Sequence, residues 1–195
     1  MDRAVDGALG LSAIYWATSA ANAGHADHWV GRTVVVLNFT VGVLFLLRRR
    51  ADRDASLGQR LLCLLSVPTS MAALALAPVP ELWPPHAVWL FTAAGLGASI
   101  SLAMLGRSFG VLPALRGIVV RGPNRVIRHP AYACELAMVF ACMLARPSAA
   151  AVALSAVAAL LVVVRIRVEE QLLHTEPQYG EYAGRVRFRL IPLLW

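Results

Sequence analysis

The chain has 195 residues, 58% of them hydrophobic and only 15% charged, with a mean hydropathy of +0.64. That is too apolar for an ordinary soluble domain, and at about 20 residues per span it has room for about five or six membrane helices but no large soluble domain. All 18 basic residues are arginine and the formal charge is +7. Such a balance suits nucleic acid or anionic lipid, but the arginines stand between apolar runs, so membrane lipids are the expected partner and nucleic acid is not.

Residues Ala8 to Ala23 form the first and weakest apolar run, preceded by Asp2, Arg3 and Asp6 and lacking a small-residue cleavage site, so it reads as a retained span. His25, Asp27 and His28 follow in a short stretch bounded by Gly24 and Gly31. It reads as a solvated turn, and no metal site is expected. Val30 to Leu47 is a clearer span that stops at Arg48, Arg49 and Arg50, with Arg53 and Arg60 beyond. The excess of arginine places this loop in the cytoplasm. Asn38, Phe39 and Thr40 match a glycosylation sequon but fall inside the span.

Leu61 to Ala77 is a third span with a kink expected at Pro68, and Pro78, Pro80, Pro84 and Pro85 make the turn that follows it. Trp83 and Trp89 then flank the entry to a fourth span, Ala87 to Leu105, as interfacial belt residues. Its Gly95 and Gly97 are expected at helix contacts, because no strand precedes them as a nucleotide-binding loop requires. From Gly106 to Pro130 the chain carries Arg107, Arg116, Arg121, Arg125 and Arg128 and no acidic residue. This is the longest cytoplasmic connection.

Tyr132 to Ala145 and Pro147 to Val164 are separated only by Arg146 and predict a tight antiparallel hairpin, in which Glu135 must face protein, ligand or water. Arg165 and Glu169 stand four apart on one helix face, and the remaining tail is basic. The fold class is therefore all-α, a polytopic transmembrane bundle with a C-terminal helical hairpin and a cytoplasmic pocket. Counting arginines puts both termini inside. Cys63, Cys134 and Cys142 lie in apolar runs and read as packing residues, not as disulfide or zinc ligands. The polar segments should bring Arg128, His129, Tyr132 and Glu135 near Arg165, Glu169, Glu170, Tyr179, Tyr182 and Arg185. Such a set either holds a zwitterionic ligand or is a group of helix-end ion pairs with snorkelling arginines.

Three blocks in order carry a resemblance. Gly122-Pro123-Asn124-Arg125-Val126-Ile127-Arg128-His129-Pro130-Ala131-Tyr132 is followed by Arg165 with Glu169-Glu170 and Leu172-Leu173, and then by Tyr179-Gly180-Glu181-Tyr182 with Arg185 and Val186. Together they resemble the isoprenylcysteine carboxyl methyltransferase family and the related phospholipid methyltransferases, over about residues 105 to 192. The resemblance implies an integral-membrane enzyme that uses S-adenosylmethionine, with N-terminal helices over 1–105 and a catalytic region over 106–195. It implies a cofactor pocket from Gly122, His129, Pro130, Tyr132, Glu169, Glu170, Tyr182, Ile191 and Pro192. It assigns Arg128 and Arg185 to the methyl acceptor, with Glu135 or Glu170 as base where the acceptor must lose a proton. The acceptor is expected to be a lipid or lipophilic small molecule, and the site cytoplasmic in a multi-pass, bacterial-type inner-membrane protein. Asn124, Val126 and Cys134 depart from residues common in the family, so the acceptor pocket is expected to differ. Membrane sterol-type reductases share a similar R-H-P-x-Y segment and bind a nicotinamide cofactor, which leaves that activity, and a non-catalytic scaffold, as alternatives.

Overall fold

Apolar runs separated by proline and arginine become helices here, in a computed structural model that describes residues 3–195. Asp2, ahead of the first run, lies outside the described residues. In chain order the helices are α1 (Arg3–Ala20), α2 (Trp29–Leu47), α3 (Leu57–Leu64), α4 (Ser66–Leu76), α5 (Pro85–Leu105), α6 (Pro130–Ala145), α7 (Ala149–Leu173) and α8 (Pro177–Arg185). The chain is 73% helical. Four segments, α2, α3 with α4, α5 with its following turn, and α7, are long and apolar enough to cross a membrane, while α6 is shorter. Exposed Phe39, Ile100 and Leu160 on the outside of the bundle suit contact with lipid.

Small residues let the helices approach closely. A Cβ built on Gly10 of α1 would stand 2.9 Å from the Gly42 carbonyl oxygen of α2, one on Gly95 of α5 would collide with the Thr33 side chain of α2, and one on Gly97 would lie 3.0 Å from Cys134 Sγ of α6. The glycines of α5 are thus contact positions, as expected of a membrane bundle. Trp83, Ala87, Phe91, Val139, Cys142 and Ala158 form the main buried cluster, in which the Trp83 and Phe91 rings meet edge to face at 5.4 Å. All three cysteines are free thiols; Cys63 and Cys142 are buried and Cys134 partly so.

The break in the third span falls at Leu65, three residues before Pro68. Pro68 has no N–H to donate to the carbonyl of Leu64 and its ring crowds that group, so the irregularity appears one turn earlier than the proline itself. The hairpin differs too. Ser148 caps α7 by accepting from Ala151 N at 3.1 Å, which leaves Pro147 outside the helix. At its other end α7 runs unbroken past the apolar segment to Leu173. At 1.5 Å per residue such a helix is roughly 38 Å long, about 8 Å more than a hydrocarbon core is thick.

The three arginine-rich segments meet at that end. Residues Arg53–Asp54 (β1) pair antiparallel with Ala114–Leu115 (β2), and Arg49 N donates to Arg107 O at 2.9 Å, joining the α2–α3 and α5–α6 connections. Arg128 N and His129 N donate to Phe188 O and Arg189 O, both at 2.9 Å, joining the second connection to the tail.

Candidate functional site

Pro130 occupies the first position of α6, where its missing N–H costs nothing, and it holds the preceding His129 out of helical geometry at φ −127°, ψ 61°. His129 is thereby turned toward α7, and Tyr132 follows one turn into α6. The two rings stack with centroids 5.6 Å apart and planes 15° from parallel. Because α7 is continuous, Arg165, Glu169 and Glu170 reach the same region. The Arg165 guanidinium lies 4.8 Å from the centre of the Tyr132 ring, donates to Ser66 Oγ at 3.1 Å, and bonds the Val111 carbonyl.

Glu170 is the hub. Its side chain is only 6% exposed. Oε1 lies 2.9 Å from the Arg128 guanidinium and 3.2 Å from His129 Nε2, and it accepts from the Tyr179 hydroxyl at 3.2 Å. Oε2 accepts from Arg189 Nε at 2.7 Å. A buried carboxylate with this many donors is held ionised and immobile. Glu169 is different. Its side chain is 31% exposed, Oε2 accepts from the Tyr132 hydroxyl at 2.7 Å, and His129 Nδ1 stands 4.0 Å away. Its Oε1 takes part in no described hydrogen bond.

Helix α8 closes one side with two buried tyrosines. Tyr182 donates to the Asn124 carbonyl at 2.7 Å, and burial raises its hydroxyl to about 12. Burial, and after it the negative charge of Glu170, raises Tyr179 further. Both hydroxyls therefore keep their protons and act as donors at any physiological pH. Asn124, buried in the 3₁₀ turn Gly122–Arg125, donates weakly to Arg128 O at 3.4 Å while its Oδ1 has no partner among the described residues. Val162, Ile166 and Leu190 form the apolar floor, packed against Tyr132, Leu136 and Trp195.

Arg128, His129, Pro130, Tyr132, Glu169, Glu170 and Tyr182 thus converge on one patch. Gly122 begins the adjacent turn at φ +57°, a left-handed conformation that favours glycine. Glu135 lies one turn beyond Tyr132 and accepts from Ser70 Oγ of α4 at 2.7 Å, so it faces protein. Ile191 is exposed, and with Pro192 it belongs to a closing turn in which the N–H groups of Arg189, Leu190 and Ile191 all point at Trp195 O. Arg185 is exposed at the end of α8 and takes part in none of the described ion pairs. The arginine that reaches Glu170 from the tail is Arg189, stacked also on the Trp195 ring at 5.3 Å. Arg185, Arg187 and Arg189 recur at every second position where α8 gives way to the tail, and choosing among them needs the register against residues 128–129. Asn124, a departure from residues common in the family, sits beside the patch with its buried Oδ1 unpartnered among the described residues.

Residues 87–182 match the model of the phospholipid methyltransferase family. The match covers α5, the long connection, α6, α7 and most of α8, and so includes Arg128, His129, Pro130, Tyr132, Glu169, Glu170 and Tyr182, whereas Arg189, Leu190 and Trp195 lie beyond it. No curated protein shows a significant match to the chain. The three motif blocks, their convergence at the end of a helical membrane bundle and this match agree, and the chain belongs to the phospholipid methyltransferase family of membrane methyltransferases.

Proposed function

We propose that this membrane methyltransferase uses S-adenosylmethionine as donor and methylates a lipid or lipophilic small molecule at the cytoplasmic end of α6 and α7. The observation that carries the reading is the state of Glu169: a partly exposed carboxylate with one uncommitted oxygen, set beside the stacked His129 and Tyr132 rings. A sulfonium amino acid offers an ammonium that needs acceptor oxygens and a cation that aromatic faces attract, so the donor set fits. Glu170 is already saturated. In this reading it holds Arg128, Arg189 and His129 in place, and the two arginines face the carboxylate of the donor or the anionic group of the acceptor.

Bound S-adenosylmethionine supplies an electrophilic methyl group on a cationic sulfur. The protein then has to align the acceptor and keep water out, tasks suited to the apolar floor of Val162, Ile166 and Leu190 and the cover of Tyr179 and Tyr182. A carboxylate acceptor, as in isoprenylcysteine methyl esterification, reacts in its ionised form and needs no base. An amine or thiol does need one, and Glu135, tied to Ser70, and Glu169 are the carboxylates with capacity to accept a proton. Residues 106–195 carry the chemistry in this account, and the helices of 1–105 brace α6 and α7.

Isothermal titration of the purified protein with S-adenosylhomocysteine and with NADPH tests the donor. Binding of S-adenosylhomocysteine, weakened about ten-fold or more in Glu169→Gln as expected for loss of a charge-assisted contact, supports the assignment. Binding of NADPH alone overturns it. Incubating membranes with methyl-labelled cofactor and identifying the labelled species names the acceptor. Cysteine labelling at positions 54 and 184 tests the side, and modification from the outer face would reverse the orientation.

A further inference from the structure

Arg116 lies outside the patch just described and is in an unusual position for a charged residue. It is only 7% exposed, no described ion pair or side-chain hydrogen bond uses its guanidinium, and its buried Nε has no partner among the described residues. Its backbone is fixed, since Ser108 Oγ donates to Arg116 O at 3.0 Å and the neighbouring Leu115 pairs with Arg53. The guanidinium packs directly over Gly110, where any side chain would displace it. The charged groups around it are three arginines, each with an aspartate of its own beside it. Arg48 is paired with Asp6 and stacked on Phe45, Arg60 is paired with Asp54 at 3.4 Å, and the Arg49 guanidinium covers Gly117, with only Asp52 loosely beside it at 4.0 Å. Burial, followed by repulsion from Arg48, lowers the Arg116 pKa, and the attraction of Asp54 and Asp6 only partly offsets it. A guanidinium this buried that takes part in none of the described ion pairs is unfavourable, and a bound anion would relieve that cost.

We propose that Arg116, with Arg49 and Arg48 at its rim, binds the phosphate of an anionic phospholipid headgroup. A guanidinium matches phosphate through paired N–H donors, and the glycines at 110 and 117 let those guanidiniums lie against the backbone. The lipid source is argued by the apolar side chains next to the site. Leu46 and Leu47, the last two residues of α2, are 46% and 55% exposed immediately before Arg48. They give an acyl chain a surface below the phosphate. The site is separate from the Glu170 hub and does not depend on which methyl donor or acceptor is used.

The test uses full-length protein in an uncharged maltoside detergent, titrated with dioctanoyl phosphatidylglycerol and, separately, with inorganic phosphate at ionic strength held constant with chloride. The thermal unfolding midpoint is followed. Wild type should show a saturable rise with the lipid. Arg116→Met should abolish that rise while its midpoint without anion stays at or above that of wild type, because an uncompensated charge has been removed. Arg116→Lys should retain a response at about ten-fold higher lipid, having lost the planar fork, and exposed Arg125→Met should respond as wild type. Equal half-saturation by lipid and inorganic phosphate assigns the same site to free phosphate. Absence of a saturable response to either probe in wild type, or a wild-type response in Arg116→Met, overturns the proposal. Should Arg116→Met fail to fold, Arg49→Gln decides: a several-fold weaker response supports the site and an unchanged one overturns it.

Discussion

Two groups of arginines stand at the same end of the bundle and look alike in composition, yet they are solved in opposite ways. Around Glu170, Arg128, Arg189 and His129 converge on one buried carboxylate, which gives each of them a direct partner. Around β1 and β2, Arg116 is buried and takes part in none of the described ion pairs. The lesson is that a basic loop beside a membrane helix is not one kind of object. Both groups add positive charge to that end of the bundle, whereas only the local count of acceptors separates an internal brace from a site that needs something from outside.

The sharpest way to break the comparison is to remove the acid from the saturated group. Glu170→Gln leaves Arg128 buried with its counter-charge gone, and the expected loss is on the order of 3–5 kcal/mol, read as a large fall in the unfolding midpoint in detergent. A midpoint within error of wild type would mean that the brace does not stabilise the fold. Arg165→Met comes next. It removes bonds to Ser66 and the Val111 carbonyl and the contact over Tyr132 while keeping the volume, and about 2–3 kcal/mol of destabilisation is expected from the same measurement. Tyr132→Phe deletes a single hydroxyl from Glu169 and should cost about 1 kcal/mol while altering the affinity for S-adenosylhomocysteine, measured by titration. The smallest effect belongs to Arg185→Ala. Exposed and outside the ion pairs, it should shift stability by less than about 0.5 kcal/mol, so any fall in turnover with KM for the lipid raised would reflect contact with the acceptor alone.

Much of this arrangement can be read from the amino-acid order. Six apolar segments appear as helices or helix pairs, because runs of leucine, valine and alanine ended by proline or arginine leave few alternatives. The convergence of Arg128, His129, Tyr132, Glu169 and Glu170 follows from their common position at the ends of α6 and α7. What the order does not disclose depends on register between distant segments. Arg189 becomes a partner of Glu170 because residues 188–189 align with 128–129, a pairing set by backbone hydrogen bonds that any side chain permits. The burial of Arg116 is likewise set by the two-residue ladder to Arg53 and Asp54, too short to leave a strand pattern. The break at Leu65 is displaced from its proline by the reach of one helical hydrogen bond.

The pairing of residues 128–129 with 188–189 also has a consequence for biogenesis. The two halves lie about sixty residues apart, and the whole α6–α7 hairpin and α8 are made between them. His129 and Arg128 therefore leave the ribosome well before their backbone partners exist. Helix insertion can be complete while the chemical end of the molecule is still open, so assembly of the site is a late, long-range closure that follows membrane integration. A pulse-labelled nascent chain stalled before residue 188 should accordingly be inserted yet unable to bind S-adenosylhomocysteine.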